Sequence, residues 1–141
     1  MQIRQILPGH VDERGSIADV FYKHRLDHVA IIDTVARSIR GNHYHKQTTQ
    51  HILVTKGSLE YWYRPLDSDE PARRVVLKEY DLVTTPPGEV HALRMTGRNQ
   101  FVVFSEGLRG GEDYEKDTFR TESIIPKRFY FRKTSARKKG S

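Results

Sequence analysis

The chain has 141 residues, 36% of them hydrophobic and 30% charged, and it contains no cysteine. This length suits one domain with one core, and the lack of cysteine excludes disulfides, thiolate metal sites and cysteine nucleophiles. The net charge of +6 is concentrated in residues 127–139, where seven lysines and arginines occur without an acidic residue. Such a terminal run is typical of a solvated tail, so we expect a domain at 1–126, a flexible basic tail at 127–141 and no nucleic-acid partner.

The predicted secondary structure is β along most of the chain. Runs rich in β-branched and aromatic residues occur at 16–22, 28–35, 51–55, 58–64, 73–79, 81–85 and 101–105. Turn-forming residues separate these runs, and 65–72 has the composition of a surface loop between hairpin strands. A helical turn is favoured only within 112–118. Short strands at this spacing predict an all-β sandwich or barrel.

Some of the predicted strands are apolar on both faces, among them 52–54, 61–63 and 102–104. One face can line a barrel while the other packs against a second sheet or another subunit, so we expect a homodimer. No run approaches the roughly 18 apolar residues of a membrane span, and the N-terminal segment lacks the apolar core of a signal peptide. We therefore expect a cytoplasmic protein with no membrane partner.

Two of the seven histidines stand two positions apart in a segment of extended character. His43 and His45 would point to the same face of a strand. There, two imidazoles can bind one metal ion, or they can act as a base and its partner near neutral pH. Three other histidines, His10, His24 and His28, lie in or near turns and are interpreted as surface residues.

This histidine pair belongs to a wider pattern that resembles the two motifs of the cupin superfamily. The matching positions are His43, His45, Gln50 and Gly57 in the first motif and Pro86, Gly88 and His91 in the second. The resemblance implies a cupin-type double-stranded β-helix, or jelly-roll barrel, formed by a single domain. It also implies that His43, His45, Gln50 and His91 point into the barrel and would be the ligands of any bound metal.

The chain departs from the cupin motifs at several positions. Arg37 and Tyr80 stand where the motifs have glycine, and Met95 replaces the last asparagine. Gln50 stands where the first motif has a glutamate ligand, so the site lacks an anionic donor and attracts a cation less strongly. We therefore expect no required cofactor and at most a weak or adventitious divalent metal.

Three further segments resemble one branch of the cupins, the enzymes that rearrange nucleotide-linked 4-keto-6-deoxy sugars. They are 12–17 (DERGSI), 40–46 (RGNHYHK) and 113–119 (DYEKDTF). The second is similar to a segment of the 3,4-ketoisomerases of thymidine-diphosphate sugars, which carry glutamine at the position of Gln50 and need no metal. The 3,5-epimerases share part of it. The resemblance implies an isomerase of deoxysugar and polysaccharide biosynthesis with a nucleotide-diphosphate sugar as its substrate.

Either reaction needs a base active near neutral pH, a second proton carrier and a positive or hydrogen-bonding group near the enolate oxygen. We assign the base to His43 and the second carrier to His45. Arg40 can bind diphosphate or stabilise the anion with its planar set of donors. The other expected substrate-binding residues are Gln50, Arg14, Lys46 and Tyr61. His91 is interpreted as a metal ligand or as a hydrogen-bonding group of the pocket.

Two other functions fit the same residues. A metal-dependent cupin, such as a dioxygenase or a small-acid isomerase, would hold iron, manganese or zinc and would not respond to nucleotides. A non-catalytic cupin would bind a sugar ligand tightly without exchanging the proton at C3.

Overall fold

Twelve β-strands form the regular structure of residues 1–132, the part of the chain that the computed structural model describes. The strands are β1 (Gln2–Gln5), β2 (His10–Asp12), β3 (Gly15–Ile17), β4 (His28–Thr34), β5 (Ser38–Tyr44), β6 (Thr49–Lys56), β7 (Leu59–Pro65), β8 (Arg73–Leu77), β9 (Asp81–Thr85), β10 (Glu89–Met95), β11 (Asn99–Glu106) and β12 (Phe119–Arg120). Two 3-10 helices, Gly111–Asp113 and Lys127–Phe129, follow β11 and β12. Within residues 1–132, no helix is long and apolar enough to cross a membrane.

The strands are arranged in two five-stranded antiparallel sheets and one small hairpin. The first sheet has the order β1-β9-β6-β11-β4, the second has the order β12-β5-β10-β7-β8, and β2 pairs with β3. Strands that are neighbours in a sheet are often far apart in sequence, as β6 and β11 are. This is the cupin-type jelly-roll barrel, and it confirms the all-β fold that the sequence predicts.

The interior between the sheets is filled by side chains from both of them. Ile52, Phe101 and Val103 of the first sheet contact the cluster that includes Tyr61 and Leu93 of the second. Strand β11 shows the expected period of two, because its buried and partly buried positions alternate along its whole length. Burying a side chain of this size stabilises the fold by about 1.5–3 kcal/mol.

The outer face of the second sheet is also apolar, and the chain covers it with its own C-terminal segment. Trp62 and Ala92 on this face are buried in a cluster with Ile124 and Ile125. The rings of Trp62 and Phe129 have centroids 5.0 Å apart. In the second sheet, the strands are apolar on both faces because a segment of the same chain covers the outer face.

This packing continues past the domain end expected at residue 126. Arg94 Nε donates a hydrogen bond to the carbonyl of Phe129 (2.7 Å), and Arg37 Nη2 donates one to the carbonyl of Arg132 (2.6 Å). The packed part of the chain therefore includes residues 127–132. The rest of the predicted tail, 133–141, lies outside the described residues.

Two departures from the cupin motifs keep the backbone conformation that glycine favours. Arg37 has φ +62° and Tyr80 has φ +70°, both in the left-handed region. This region is costly for residues with a Cβ atom. Both backbones are hydrogen-bonded in place: Arg37 N donates to the Met95 carbonyl, and Tyr80 N donates to the Val54 carbonyl.

Other sequence predictions differ from the structure at the ends of elements or miss an element. The strand predicted at 16–22 ends at Ile17, because the chain then leaves the hairpin and packs Phe21 against the outer face of the first sheet. The helical turn predicted within 112–118 is the shorter 3-10 helix Gly111–Asp113. The sequence predicts no strand at β1, β2, β5, β10 or β12, although it predicts an extended segment around His43 and His45.

Candidate functional site

A bulge in β5 places His43 beside His91. Gly41 pairs with Ala92 and His43 pairs with His91, with a shift of register between them. Gly41 has φ +92°, and a Cβ atom there would lie 2.9 Å from the carbonyl oxygen of His91. Asn42 is also left-handed, with φ +59°. Glycine is therefore needed at 41 for the close approach of the two strands, and the extra residue aims His43 into the barrel.

Three histidines from two separate segments meet at this point. The centroid of the His43 ring lies 5.0 Å from that of His45 and 4.7 Å from that of His91. The centroids of the His45 and His91 rings are 5.4 Å apart. Each ring has a nitrogen within 4.8 Å of a nitrogen of the others. The prediction that these residues converge in the barrel agrees with this geometry.

Hydrogen bonds to backbone carbonyls set the tautomers of two of these rings. His45 Nδ1 lies 2.6 Å from the carbonyl oxygen of Asp117, and His91 Nδ1 lies 3.2 Å from that of Glu89. Because a carbonyl oxygen only accepts, each Nδ1 carries the proton, and each neutral ring keeps its lone pair on Nε2. Gln50 Oε1 lies 3.2 Å from His45 Nε2; both atoms are acceptors when Nδ1 carries the proton, so a hydrogen bond forms here when the amide is turned to present its NH2 group.

Burial keeps all three imidazoles neutral. It lowers the pKa of His43 to about 2 and that of His91 to about 4, and the charges of neighbouring histidines and of Arg109 add to the effect. Burial also lowers the pKa of His45, against the opposing hydrogen bond to Asp117. The free site thus offers uncharged rings with available lone pairs over the physiological pH range.

His43 and His91 border a cavity of about 270 Å³ with an apolar inner wall and a basic rim, whereas His45 is buried next to them and is not part of the lining. Its lining residues are Ile32, Arg40, Gly41, His43, Gln50, Ile52, His91, Leu93, Phe101, Val103, Arg109, Tyr114 and Arg120.

Two of the lining arginines are held by neighbouring side chains. The guanidinium of Arg109 lies 4.6 Å from the centroid of the Tyr114 ring and donates a hydrogen bond to Thr118 Oγ1 (2.7 Å). Its buried Nε has no hydrogen-bond partner among the described residues. Arg120 forms a two-pronged pair with Glu115, at 2.7 and 3.0 Å.

Sequence reasoning missed Arg109 and Arg120 as cavity residues. Arg120 reaches the cavity because β12 pairs with β5, which places it opposite His43. Arg109 follows β11 in the glycine-rich turn at 107–111. A signal for one of them was present, since the segment 113–119, recognised by resemblance, ends directly before Arg120.

The structure brings some of the predicted substrate-binding residues to the cavity and not others. Arg40 and Gln50 line the cavity. Tyr61 is fully buried behind it. The Tyr61 ring is stacked on His91 at 6.2 Å, and its hydroxyl is hydrogen-bonded to Thr85 and Glu89.

Two other predicted substrate-binding residues lie away from the cavity. Arg14 is exposed in the β2–β3 turn and pairs with Asp12. Lys46 is exposed, with its ammonium 4.4 Å from the centre of the Phe119 ring. Neither Arg14 nor Lys46 lines the cavity of this chain.

The donor atoms at the cavity are placed so that they could bind a divalent transition metal, but none of them carries a negative charge. The proton on Nδ1 of His45 and of His91 is held by a carbonyl, an arrangement that frees Nε2 to bind a metal. His43 supplies a third nitrogen and Gln50 a neutral oxygen. No carboxylate belongs to this set, so a cation gains less electrostatic stabilisation here than at a site with an acidic ligand.

Comparison with known proteins gives one family and a group of similar folds. The family model described as the polysaccharide biosynthesis C-terminal domain matches residues 10–118. No curated protein sequence matches the chain. Among solved structures, a 3,4-ketoisomerase from Helicobacter canadensis has a TM-score of 0.71 at 16% identity, covering 85% of this chain and 90% of its own.

Two other solved structures are similar to the same extent. A double mutant of the 3,4-ketoisomerase QdtA from Thermoanaerobacterium thermosaccharolyticum, in complex with TDP, has a TM-score of 0.69 at 18% identity, covering 85% of this chain and 86% of its own. The dTDP-4-dehydrorhamnose 3,5-epimerase from Sulfolobus tokodaii has a TM-score of 0.67 at 17% identity, covering 88% and 78%. At these identities the likeness establishes the fold.

Proposed function

Because the chain belongs to the polysaccharide biosynthesis C-terminal domain family, we propose that it is an isomerase of a nucleotide-diphosphate-linked 4-keto-6-deoxy sugar. The reaction is 3,4-ketoisomerisation or epimerisation at C3 or C5, with histidine as acid and base. The observation that carries the proposal is a cluster of three neutral imidazoles, two of which, His43 and His91, line a basic-rimmed cavity. The substrate class is supported by similar structures, one of which is a 3,4-ketoisomerase in complex with TDP-4-keto-6-deoxyglucose.

The basic rim suits the diphosphate of such a substrate. Arg40, Arg109 and Arg120 all line the cavity. A guanidinium matches phosphate oxygens with two parallel donors, and the buried Nε of Arg109 carries a donor that no described residue accepts. We assign diphosphate binding to Arg109 and Arg40, and Arg120 joins them when it exchanges Glu115 for the substrate.

The proton steps follow from the acidity that a C4 ketone gives to the C3 hydrogen. In ketoisomerisation, His43 takes the C3 proton and O4 receives a proton, which gives an enediol. Loss of the O3 proton and protonation of C4 then leave the ketone at C3. In C3 epimerisation, the same enolate receives its proton on the opposite face of C3. His45, tied to Asp117, is the second proton carrier.

The charge of the substrate acts on the basicity of His43. In the free site its pKa is lowered to about 2, first by burial and then by neighbouring positive charge. A diphosphate that neutralises Arg109 and Arg120, together with the negative charge developing on the enolate, raises the pKa of His43 again. The anionic substrate thus opposes the part of the pKa lowering that comes from positive charge, whereas the larger part that comes from burial stays.

We further propose that activity does not require a metal. A divalent ion, when bound by His43, His45, His91 and Gln50, would supply Lewis-acid polarisation of a carbonyl. Binding would also occupy the lone pair that His43 needs to act as a base. Chelation should leave turnover unchanged, and Gln50→Glu should tighten metal binding and lower turnover. One tightly held metal per chain, with activity lost on removal and restored on return, would contradict this proposal.

The proposed reaction is tested by incubation with a thymidine-diphosphate 4-keto-6-deoxy sugar in heavy water. Mass spectrometry and NMR should show solvent deuterium at C3, C4 or C5, and the labelled carbons distinguish ketoisomerisation from epimerisation. A competing function has support from the Nδ1–carbonyl bonds of His45 and His91, which also suit a metal-dependent cupin. Metal-dependent turnover of a small acid, with no label in the sugar, would favour that function. Tight sugar binding with no exchange would indicate a non-catalytic cupin.

A homodimer is the proposed assembly. Strand β4 lies at an edge of the first sheet, and its outward residues Val29 and Ile31 are 53% and 68% exposed. Apolar side chains in a row on an edge strand favour contact with another chain. Analytical ultracentrifugation should give twice the chain mass, and Ile31→Lys should shift the mass towards that of one chain.

A further inference from the structure

A second cluster of ligating side chains lies on the outer face of the first sheet, away from the cavity. It consists of His24, His51 and Glu106, whose ligand atoms all lie within 4.8 Å of one another. His51 follows Gln50 on β6, so its side chain points to the opposite face of the strand. Glu106 ends β11, and His24 belongs to the connection between β3 and β4. Three separate segments thus contribute one donor each.

The two imidazoles converge on a single carboxylate oxygen. His24 Nε2 lies 2.8 Å and His51 Nε2 lies 2.5 Å from the same Oε2 of Glu106. Donors around a tetrahedral zinc ion, with bonds of about 2.1 Å, lie about 3.4 Å apart. Each separation therefore has to open by less than about 1 Å, and His24 sits on a connection outside the strands.

Neighbouring side chains hold the two imidazoles in place, as hydrogen-bond partners usually do for histidines that bind a metal. Nδ1 of His51 lies 2.8 Å from Thr84 Oγ1, which can accept its proton and leave Nε2 for a cation. The ring of Phe21 packs against both imidazoles, with centroids 5.0 Å from His24 and 4.9 Å from His51. The side chain of His51 is 9% exposed, whereas those of His24 and Glu106 are 40% and 36% exposed. One side of the cluster is thus open to a water molecule.

We propose that His24, His51 and Glu106 form a binding site for one divalent transition-metal ion, zinc being the best match, with water as its fourth ligand. Two imidazole nitrogens and one carboxylate oxygen are a common zinc donor set. Unlike the cluster at the cavity, this one includes an anionic ligand. The bound ion joins the β3–β4 connection to β6 and β11, so its role is to stabilise the fold.

The proposal is tested by zinc titration against a chromophoric chelator in a His43→Gln/His91→Gln background, which removes donors at the cavity. We expect one zinc per chain, a rise in melting temperature on zinc addition, and the visible absorption of four-coordinate cobalt after exchange. Adding His24→Gln should weaken zinc binding at least 100-fold and abolish both signals. Adding His10→Gln is the matched control, because His10 faces Asp12 at 3.1 Å without a third ligand, and it should change nothing.

A second measurement keeps the test independent of how the double variant folds. In the otherwise unaltered chain, His24→Gln and Glu106→Gln should each lower the number of bound zinc ions by one relative to His10→Gln. An unchanged number of zinc ions, or equal effects of His24→Gln and His10→Gln, would overturn the proposal.

Discussion

Asp117 holds His45 in place from two directions. Its carbonyl oxygen accepts the Nδ1 proton of His45 at 2.6 Å. Its carboxylate accepts hydrogen bonds from the backbone amides of Lys46, Gln47 and Thr48, the three residues that follow His45, at 2.8–2.9 Å. Burial alone would raise the pKa of Asp117, but these hydrogen bonds lower it overall. Asp117, which lies outside the strands, therefore fixes the orientation of the His45 ring and the backbone of the turn at 46–48.

Replacing Asp117 should destabilise the fold strongly. Asp117→Ala leaves buried amides without an acceptor and should cost about 3 kcal/mol, whereas Asp117→Asn keeps one acceptor and should cost about 1–2 kcal/mol. Urea denaturation measures both values. Asp113→Ala is the control, because Asp113 is in the same segment and pairs with Lys116 at the surface. A loss for Asp117→Ala as small as that of the control would contradict this reading of the turn.

The proposed base makes a direct prediction for His43. His43→Asn should lower turnover of the keto sugar by about two to four orders of magnitude, the range for a general acid–base group. The fold should survive, because His43 is only partly buried at the cavity. Rate of deuterium uptake and melting temperature are the two measurements, with His10→Asn as a control at an exposed histidine. Near-normal uptake by His43→Asn would rule out this assignment.

Stability should fall as the pH is lowered below about 6.5. The ordinary pKa of histidine is 6.5, and burial lowers the pKa of His91 to about 4 in the fold, because it disfavours the charged form. Between these values the unfolded chain binds a proton at His91 that the folded chain does not, so stability decreases with falling pH. The slope is at most about 1.4 kcal/mol per pH unit for each such histidine.

Urea denaturation between pH 7.5 and 4.5 measures this slope. His91→Gln should make the slope shallower by the contribution of one histidine, since glutamine does not titrate, and His10→Gln should leave it as in the unaltered chain. A slope that is the same in His91→Gln as in the control would show that another group causes the acid sensitivity.

The left-handed backbone of Tyr80 predicts a stabilising substitution. Tyr80→Gly should stabilise the fold by about 0.5–1 kcal/mol, because relief of the left-handed strain outweighs the greater backbone entropy of glycine in the unfolded chain. Tyr130→Gly is the matched control: Tyr130 is similarly exposed but has φ −71°. It should lose about 0.5–1 kcal/mol. Thermal or urea denaturation compares them, and losses of equal size would contradict the prediction.

The sequence was most informative where the pattern is local or has a fixed spacing. Residues 81–85 form β9 as predicted, and motif spacing named the histidines that converge at the cavity. Strand β10 was missed because Glu89, His91 and Arg94 interrupt its apolar residues. These polar side chains find partners only after folding, as Arg94 does with Glu60.

The positions of the arginines depend on long-range pairing. Arg120 faces the cavity because a two-residue strand pairs with β5, more than 70 residues earlier in the chain, and nothing local indicates that pairing. Lys46, by contrast, belongs to the motif-like segment 40–46 but lies beyond the end of β5, with its side chain on Phe119. Resemblance to a family identifies the segment. The direction of each side chain depends on where β5 ends and on the bulge in β5.

The covering of the second sheet by Ile124, Ile125 and Phe129 also orders events during synthesis. Strands β5, β7 and β10 leave the ribosome before these residues do. The outer face around Trp62 and Ala92 therefore stays exposed to solvent while the chain is being synthesised. Contacts between residues so distant in sequence also slow folding, because a long loop must close before they form. Until residues 124–129 have been synthesised, the growing chain therefore exposes an apolar face that favours aggregation or chaperone binding.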